Sequence, residues 1–358
     1  MAVQGQAGNV MKTCAVTMRD TGGINDNLSI ELTTRCNSEC THCFARSGRV
    51  EETSLTPKLT REICAEGYAA GYRHLHLTGG EPLLWKGLFD LLDEVFGRGY
   101  HSVFLNTNGM LMTDHVARRL AQYANLALSV SLQGPEVLHD SMRGIGSHGQ
   151  ACQGIARALD AGLKLTIFTA IGKTLLAQLP GFVADVYDKF HGIERLTLIQ
   201  MIRVNGDDGG LSKELLDPKD FLRLVRTVSA LNLYGLKTDV LNDPLVNVAA
   251  EMLQLPLVPQ SHPLCRSGKL IVRANRDITL AHSTWEVMGQ YAPDMIEGVL
   301  ADDRYRNAVG PDTVICPTCR YVEQCRRNGM RQPSAPVMDM QSEVPYCQRV
   351  LTCIGQPS

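Results

Sequence analysis

Short apolar runs alternate with longer amphipathic stretches through the first two hundred residues of the chain. The apolar runs predict buried strands at 28–32, 74–78, 102–106, 126–132, 163–170 and 195–201. The stretches with apolar residues at helical spacing predict helices at 57–70, 88–96, 115–123, 154–161 and 179–190. Strands and helices in alternation predict an α/β fold with a parallel sheet, whose ligands lie beyond the carboxyl ends of the strands.

The number of strands limits the architecture that this alternation can form. Six strands are too few for a closed eight-stranded barrel, so we expect a partial (β/α)6 barrel that is open on one side. The alternation fades after the turn-forming stretch VNGDDGG, and the last ninety or so residues are rich in loops and cysteine. We therefore predict an N-terminal extension at 1–26, the partial barrel at 27–206, a connecting region at 207–260 and a small C-terminal domain at 261–358.

Composition and charge exclude several classes of protein. The chain has 358 residues, of which 44% are hydrophobic and 20% charged, which is typical of folded proteins and excludes collagen-like, coiled-coil and low-complexity chains. A net charge of -2 without long runs of one sign gives no reason to expect a nucleic-acid partner. No apolar stretch approaches the roughly 20 residues that cross a bilayer, and no secretory signal is visible, so we expect a cytoplasmic protein without a membrane partner.

Twelve cysteines are unusual for such a protein. In a reducing compartment, clustered cysteines more often bind metal or carry out redox chemistry than form disulfides. Cys36, Cys40 and Cys43 form a CX3CX2C loop directly after a predicted strand. Three thiolates on one short loop can bind an iron-sulfur cluster and leave one iron open. The alternative is a zinc knuckle, but its fourth ligand would have to be His42, which is awkwardly placed between two of the cysteines.

Polar and glycine-rich motifs end the strands that follow this loop. Glycines let a ligand lie against the backbone, a carboxylate accepts hydrogen bonds from an ammonium group, and an arginine binds a carboxylate. Asparagine and serine side chains suit the hydroxyl groups of a ribose. Each motif alone could be structural, but together they indicate a ligand with amine, hydroxyl and carboxylate groups. The residues are Gly79, Gly80, Glu81, Asn106, Asn108, Ser129, Ser131 and Arg143.

The motifs CNSECTHC, GGEP and SVSLQG, the last followed by MRG, resemble those of the radical S-adenosylmethionine (SAM) superfamily over about residues 27–205. In that family the cysteine loop binds a 4Fe-4S cluster whose open iron chelates SAM. The resemblance implies that Cys36, Cys40 and Cys43 bind this cluster and that His42 lies near the adenine. It also implies that the strand-end residues above contact SAM. Gln133 departs from the family, which commonly has Asp there, and we leave it outside the predicted set.

The resemblance also implies the reaction. One electron from the reduced cluster would cleave SAM to methionine and a 5′-deoxyadenosyl radical, which would take a hydrogen atom from the substrate. The chain would then be a radical SAM enzyme and an oxidoreductase, supplied with electrons by a donor such as flavodoxin or ferredoxin. The sequence does not identify a general base.

A second group of cysteines lies near the C-terminus. Cys316, Cys319 and Cys325 form a CX2CX5C pattern, and Cys347 follows downstream. Four thiolates could bind zinc or a second iron-sulfur cluster. Beside a core that resembles radical SAM enzymes, the pattern resembles the SPASM extension, which implies an auxiliary 4Fe-4S cluster.

The resemblance to SPASM is incomplete. Ala281 and Gly329 stand where two of the seven SPASM cysteines would be, so we expect one auxiliary cluster instead of two. Two alternatives remain open: His282, with Cys265, could bind metal, and Cys353 could replace Cys347 as the fourth ligand. The remaining cysteines are expected to be packed or reactive thiols. These are Cys14, Cys64 and Cys152.

Three functions are compatible with these features. The first is a maturase that modifies a side chain of a ribosomally made peptide or of a protein. Only about 26 residues precede the first strand, too few for the leader-binding domain of many peptide maturases, which counts against it. The second is tailoring of a small molecule, by sugar or alcohol dehydrogenation or at a tetrapyrrole side chain. The third is a non-enzymatic metal-binding scaffold.

Overall fold

A computed structural model describes most of the chain. The described residues are 27–43, 45, 47–48, 50–202, 211–241, 244–256, 269–280, 282, 287–309, 318–327 and 344–354. Cys14, Cys265, Ala281, Cys316 and Gly329, which the sequence analysis singled out, lie outside them. In the described part of the chain, no helix is both long and apolar enough to span a membrane.

Ten strands and thirteen helices make up the described structure. The strands are β1 (Leu28–Glu31), β2 (His74–Thr78), β3 (Ser102–Thr107), β4 (Leu126–Ser131), β5 (Lys164–Ile171), β6 (Arg195–Gln200), β7 (Thr238–Val240), β8 (Leu270–Val272), β9 (Asp277–Thr279) and β10 (Gly289–Gln290). The first helices are α1 (Pro57–Ala69), α2 (Leu88–Arg98), α3 (Asp114–Leu120), α4 (Glu136–Arg143), α5 (Ser147–Asp160), α6 (Lys173–Leu176) and α7 (Leu179–Lys189). The later ones are α8 (Pro218–Leu233), α9 (Pro244–Met252), α10 (Ile296–Ala301), α11 (Asp303–Val309), α12 (Val322–Arg327) and α13 (Tyr346–Ile354).

All ten strands form one mostly parallel sheet in the order β10-β9-β8-β1-β2-β3-β4-β5-β6-β7. Strands β1 to β7 pair in parallel with their neighbours in chain order, and β8 pairs in parallel with β1. The last two strands pair antiparallel, β8 with β9 and β9 with β10. The predicted α/β fold and the positions of the first six strands are therefore confirmed.

The expected number of strands was too low. Strand β7 comes from the range predicted as a connecting region, and β8 to β10 come from the range predicted as the C-terminal domain. These four strands have only two or three residues each, which is too short to show a periodic pattern. The division of the chain at 206 and 260 stays a prediction.

The two faces of the sheet differ in polarity. One face is apolar and fully buried, with Leu77, Leu105, Val130 and Ile167 at 0% exposure. We call the opposite face the inner face. It carries Ser29, His76, Phe104, Asn106, Ser129 and Phe168, which alternate along their strands with the apolar residues.

A close contact between two glycines fixes α5 against the loop that follows β3. A Cβ atom on Gly154 of α5 would lie 2.1 Å from the carbonyl oxygen of Gly109, so only glycine fits there. Gly109 itself has a φ of 80°, a conformation that favours glycine. The Arg157 side chain strengthens the contact by donating a hydrogen bond of 3.1 Å to the carbonyl oxygen of Met112. Helix α5 therefore holds the loop at the end of β3 in place.

We predict that Gly154→Ala lowers the free energy of unfolding by about 1–3 kcal/mol, because the added methyl group must displace backbone. Gly149→Ala is the matched control, because it lies on the same helix and a methyl group added there would meet no atom within 4 Å. It should raise stability by about 0.4–1 kcal/mol through the lower entropy of the unfolded chain. Urea denaturation measures both changes, and equal effects of the two substitutions would contradict the tight contact.

Candidate active site

The predicted cluster-binding cysteines lie on the segment 32–43, which we call the cluster loop. It begins where β1 ends, and its first residue continues the pairing with β2, since the Leu32 amide donates to the Thr78 carbonyl oxygen at 2.8 Å. The Thr34 amide donates to the Thr53 carbonyl oxygen at 2.8 Å, which ties the loop to the segment that leads into α1. The cluster loop is therefore anchored at its start from both sides.

The three cysteines of this loop lie close enough together for their charges to interact. Cys40 is buried, and Cys36 and Cys43 are partly exposed. Burial raises the pKa of Cys36 to about 11, and the neighbouring Glu81 and cysteine thiolates act in the same direction. Burial also raises the pKa of Cys43. Cys36 and Cys43, whose thiols resist ionisation in this way, are suited to a cationic metal group, which stabilises the thiolate form.

The arrangement fits an iron-sulfur cluster better than a single metal ion. Among the described residues, no three His, Cys, Asp or Glu side chains converge on the position of one ion. A zinc site needs all its sulfur ligands about 2.3 Å from one point. A 4Fe-4S cluster binds each thiolate at a different iron and so accepts sulfur atoms that are farther apart. His42 lies beside the cysteines, and its buried Nδ1 has no hydrogen-bond partner in the described structure. Burial lowers the pKa of His42 to about 3, so the ring is neutral.

The two glycines after β2 pack directly against the cluster loop. A Cβ atom would lie 2.6 Å from the Thr33 carbonyl oxygen at Gly79 and 2.1 Å from the Arg35 carbonyl oxygen at Gly80. The Gly80 amide donates to the Thr33 carbonyl oxygen at 2.6 Å, and the Glu81 amide donates to the Arg35 carbonyl oxygen at 2.8 Å. The sequence analysis assigned these glycines to a ligand, and the structure shows that they also hold the stem of the cluster loop.

Glu81 is fully buried and joins the ends of two strands. Its Oε1 accepts hydrogen bonds from the Thr107 hydroxyl at 2.8 Å and the Leu83 amide at 3.1 Å, and its Oε2 accepts one from the Asn108 amide at 2.8 Å. Burial raises the pKa of Glu81, while these hydrogen bonds and the charge of Arg143 act in the opposite direction. A carboxylate offers about four acceptor positions, so about one remains for a ligand. Thr107 was not among the predicted site residues.

The predicted asparagines link the end of β3 to its neighbours. The Asn108 side chain donates a hydrogen bond of 2.7 Å to Asn37 Oδ1, and its Nδ2 lies 4.0 Å from Cys36 Sγ. On the inner face, the Ser129 hydroxyl donates to Asn106 Oδ1 at 2.6 Å. Ser131, at the end of β4, is partly exposed on that same face. The predicted strand-end residues thus lie around the cluster loop.

Arg143 ends α4 and lies at the other side of the cluster loop. The Ser38 hydroxyl donates to the Arg143 carbonyl oxygen at 2.9 Å, and the Thr41 amide donates to the Met142 carbonyl oxygen at 2.9 Å. The guanidinium Nε of Arg143 is buried and has no hydrogen-bond partner in the described residues. A cleft of about 770 Å³ opens here, lined by Cys36, Asn37, Ser38, Glu39, Thr41, Asp140, Ser141, Met142, Arg143, Gly144 and Ile145. The unmatched Nε belongs to a guanidinium group, which suits a carboxylate ligand.

Gln133 uses both ends of its side-chain amide to join β4 to β5. Its Oε1 accepts from the Ala170 amide at 2.5 Å, and its Nε2 donates to the Phe168 carbonyl oxygen at 3.5 Å. A carboxylate has no hydrogen to donate to Phe168. This pairing gives a physical reason for Gln at a position where the family resemblance leads one to expect Asp.

The C-terminal cysteines lie in a separate part of the fold. Helices α12 and α13, which carry Cys325, Cys347 and Cys353, both pack against α9. Cys347 is buried, and Cys319, Cys325 and Cys353 are partly exposed. No disulfide joins the nine cysteines that the structure describes. Because Cys316 lies outside the described residues, the predicted four-thiolate site stays a prediction.

The other residues that the sequence analysis set apart have different surroundings. Cys64 is fully buried in α1 as a packed thiol. Cys152 is buried in α5, with its Sγ 3.7 Å from His148 Nε2. His282 contacts His76 on the inner face of the sheet, with the ring centroids 5.2 Å apart.

Comparison with known proteins agrees with this geometry. The sequence profile of the Radical SAM superfamily matches residues 30–177. The mycofactocin maturase MftC of Mycobacterium tuberculosis H37Rv is 30% identical over 178 residues, which are 48% of this chain and 44% of MftC. A probable GTP 3′,8-cyclase of Sulfurisphaera tokodaii is 26% identical over 57% of this chain and 63% of its own length. The chain thus spans about half the length of the maturase relatives it matches.

Solved structures share the fold. SuiB of Streptococcus suis bound to S-adenosylmethionine superposes with a TM-score of 0.67 at 18% identity, over 84% of this chain and 71% of SuiB. The structure of anSMEcpe with bound AdoMet superposes with a TM-score of 0.70 at 13% identity, over 92% of this chain and 91% of anSMEcpe. Residues 30–177 are therefore similar to enzymes of the radical SAM class, and the chain shares the fold of two structures solved with SAM bound. Enzymes of this class use a 4Fe-4S cluster and SAM.

We predict that Glu81→Gln destabilises the protein by about 1–3 kcal/mol. The NH2 group of the glutamine side chain would face one of the three buried groups that now donate hydrogen bonds to Glu81. The same change should reduce binding of iron, since the strand ends that Glu81 joins also hold the cluster loop. Urea denaturation and iron analysis after anaerobic reconstitution measure the two effects. Asp188→Asn, at an exposed position on α7, is the control that removes the same charge. If both variants behave like wild type, Glu81 does not organise the site.

Proposed function

We propose that this protein is a radical SAM oxidoreductase that takes a hydrogen atom from a peptide or protein side chain, and so acts as a maturase. The observation that carries the proposal is the assembly of three cysteines, a buried carboxylate and an arginine with an unmatched Nε around one loop at the strand ends. When bound, a reduced 4Fe-4S cluster with SAM supplies a 5′-deoxyadenosyl radical that abstracts hydrogen from carbon.

The residues of the chain have distinct roles in this proposal. Cys36, Cys40 and Cys43 would hold the cluster, because they share one loop and interact electrostatically. Arg143 would bind the carboxylate of SAM, because its buried Nε lacks a partner in the described structure. Glu81 would bind the methionyl amine through its remaining acceptor position.

The other strand-end groups would position the nucleoside part of SAM. Asn106, Asn108, Ser129 and Ser131 supply amide and hydroxyl groups for the ribose, and the neutral ring of His42 supplies a flat surface for the adenine. The glycine pair at 79–80 brings the backbone close to the cluster loop and leaves no side chain in the way. Together these residues would orient SAM and exclude water from it.

Two comparisons support a peptide substrate. MftC is a maturase by name, and SuiB has been solved bound to its precursor peptide SuiA with a TM-score of 0.68 to this chain at 19% identity. The similarity to a probable GTP 3′,8-cyclase supports a small-molecule substrate as the second candidate. A flavodoxin or ferredoxin would supply electrons in either case. A non-enzymatic scaffold receives no support, because the described site has groups for SAM as well as for a metal cluster.

The first test of the proposed function is Cys40→Ala. Wild type reconstituted with iron and sulfide should form 5′-deoxyadenosine from SAM in the presence of dithionite, and the variant should form none above background, because a cluster lacking one thiolate does not assemble stably. Liquid chromatography with mass detection measures the product. Cys152→Ala removes a buried thiol outside the site and should keep wild-type product levels. Product formation by Cys40→Ala at the wild-type rate would refute the proposal.

A second test concerns the auxiliary cluster, which we propose on Cys316, Cys319, Cys325 and Cys347. Cys347→Ala should reduce iron from about eight to about four atoms per chain while 5′-deoxyadenosine formation continues. Iron analysis and product quantification on the same sample measure both. Cys353→Ala is the matched control on the same helix, because six residues place it about 120° around α13 from Cys347. If only Cys353→Ala lowers the iron content, Cys353 is the fourth ligand.

A further inference from the structure

Four aromatic rings form a continuous row across the inner face of the sheet. The ring centroids are 5.2 Å apart between His282 and His76, 5.6 Å between His76 and Phe104, and 5.7 Å between Phe104 and Phe168. These separations are those of interacting aromatic pairs. We call these four residues the aromatic row. None of them belongs to the cofactor-binding set that the sequence predicts.

Two rings of the aromatic row, His76 and Phe104, lie below the strand-end site. Phe104 is two residues before Asn106 on β3, and His76 is two residues before the end of β2. Two residues of a strand span about 7 Å, and alternate residues share a face. Asn106 also lies near the His76 ring, without a hydrogen bond of ordinary length between them. His76 and Phe104 are therefore one layer deeper than Asn106 and Ser129, whereas Phe168 is level with Ser131, its partner on β4.

Three rings of the aromatic row are partly exposed. On the apolar face, the central residues of the strands are fully buried, whereas His76, Phe104 and Phe168 are only partly buried on the inner face. Strand β4 lies between the strands that carry Phe104 and Phe168, and it presents the small side chains of Ala127 and Ser129 to this face. The two rings contact each other across these small residues, so a ligand group in contact with both would lie on top of the pair.

His76, the second ring of the aromatic row, has a ring nitrogen that no described group reaches at hydrogen-bond distance. His76 Nδ1 lies 3.1 Å from the Ser29 hydroxyl, but His76 Nε2 is buried and has no hydrogen-bond partner in the described residues. Burial lowers the pKa of His76 to about 4, and the charge of Lys269 acts in the same direction, so the ring is neutral. A neutral ring nitrogen donates or accepts one hydrogen bond and does not attract a charged partner strongly.

His282, the ring at one end of the aromatic row, is held in place by Arg273, which directly follows β8. The Arg273 guanidinium donates a hydrogen bond of 3.1 Å to the carbonyl oxygen of His282. This contact fixes His282 beside His76, and edge-to-face packing of the two rings limits the orientations of His76. The unsatisfied nitrogen is therefore set in place before any ligand arrives.

We propose that the aromatic row is the substrate subsite, where the peptide side chain that loses hydrogen stacks on Phe104 and Phe168 and forms one hydrogen bond with His76. The chemistry fits an aromatic ring that carries an uncharged hydroxyl group. This inference rests on the proposed function and specifies its substrate. It also gives His76 a positioning function, since the hydrogen bond orients the ring of the substrate below the site proposed for SAM.

Binding of small probes tests the subsite without a known substrate. We would titrate p-cresol and toluene into reconstituted enzyme with SAM under anaerobic conditions and follow binding by ligand-observed NMR. p-Cresol should bind more tightly than toluene to wild type. His76→Phe should weaken p-cresol binding about 5-fold to 10-fold and leave toluene binding unchanged, because it removes one hydrogen bond and keeps an aromatic ring.

Three further variants make the test specific. Phe104→Leu should weaken both probes, because both use the ring. His76→Gln should keep the preference for p-cresol, because it retains a hydrogen-bonding group. This variant is included in case His76→Phe does not fold. His101→Phe is the control, because His101 is exposed and lies before β3. Equal affinity of p-cresol for wild type, His76→Phe and Phe104→Leu would overturn the proposal.

A capped amino acid tests the peptide origin of the side chain. N-acetyl-tyrosinamide carries the ring and hydroxyl of p-cresol on a peptide backbone, and it should displace p-cresol from wild type. Failure to displace it would overturn the peptide part of the proposal and favour a free small molecule. Probe binding requires no cleavage of SAM, so these outcomes are independent of the Cys40→Ala experiment, which tests the proposed function itself.

Discussion

The buried carboxylate of Glu81 is the interaction on which the rest of the site depends. It accepts hydrogen bonds from groups that follow β2 and end β3, and the backbone at the same residue binds the cluster loop that follows β1. Three neighbouring strand ends are thus fixed relative to one another by one residue. Burial of a charge is unfavourable without partners, and here the hydrogen bonds offset that cost while they define the geometry.

This constraint explains why the functional groups can lie on different loops and still act together. Loops are usually more mobile than the strands they follow, but here each loop makes contact with its neighbour through backbone atoms. Asn108 reaches the cluster loop through Asn37, and the end of α4 reaches it through Ser38 and Thr41. The site is therefore organised before a cofactor binds, which lowers the free-energy cost of ordering it.

The sequence predicted the first six strands because their apolar residues alternate with long amphipathic helices. It also predicted which strand ends carry polar side chains, because residues such as Asn106 and Ser129 lie within those strands, close to their carboxyl ends. It did not predict β7 to β10, because two or three residues show no period. Nor did it predict the aromatic row, whose members are separated by up to about two hundred residues and meet only through the register of the sheet. The hydrogen bond from Thr107 to Glu81 was also missed, because threonine is common in strands and does not by itself indicate a functional site.

The two ends of the sheet have a consequence for association between copies of the chain. Among the described residues, the edge strands are β10, with two residues, and β7, with three. An edge strand exposes unpaired backbone groups that can pair with another chain, and the danger increases with its length. Edges this short offer few such groups. The ten described strands can therefore form an open sheet with little tendency to pair with the sheet of another copy.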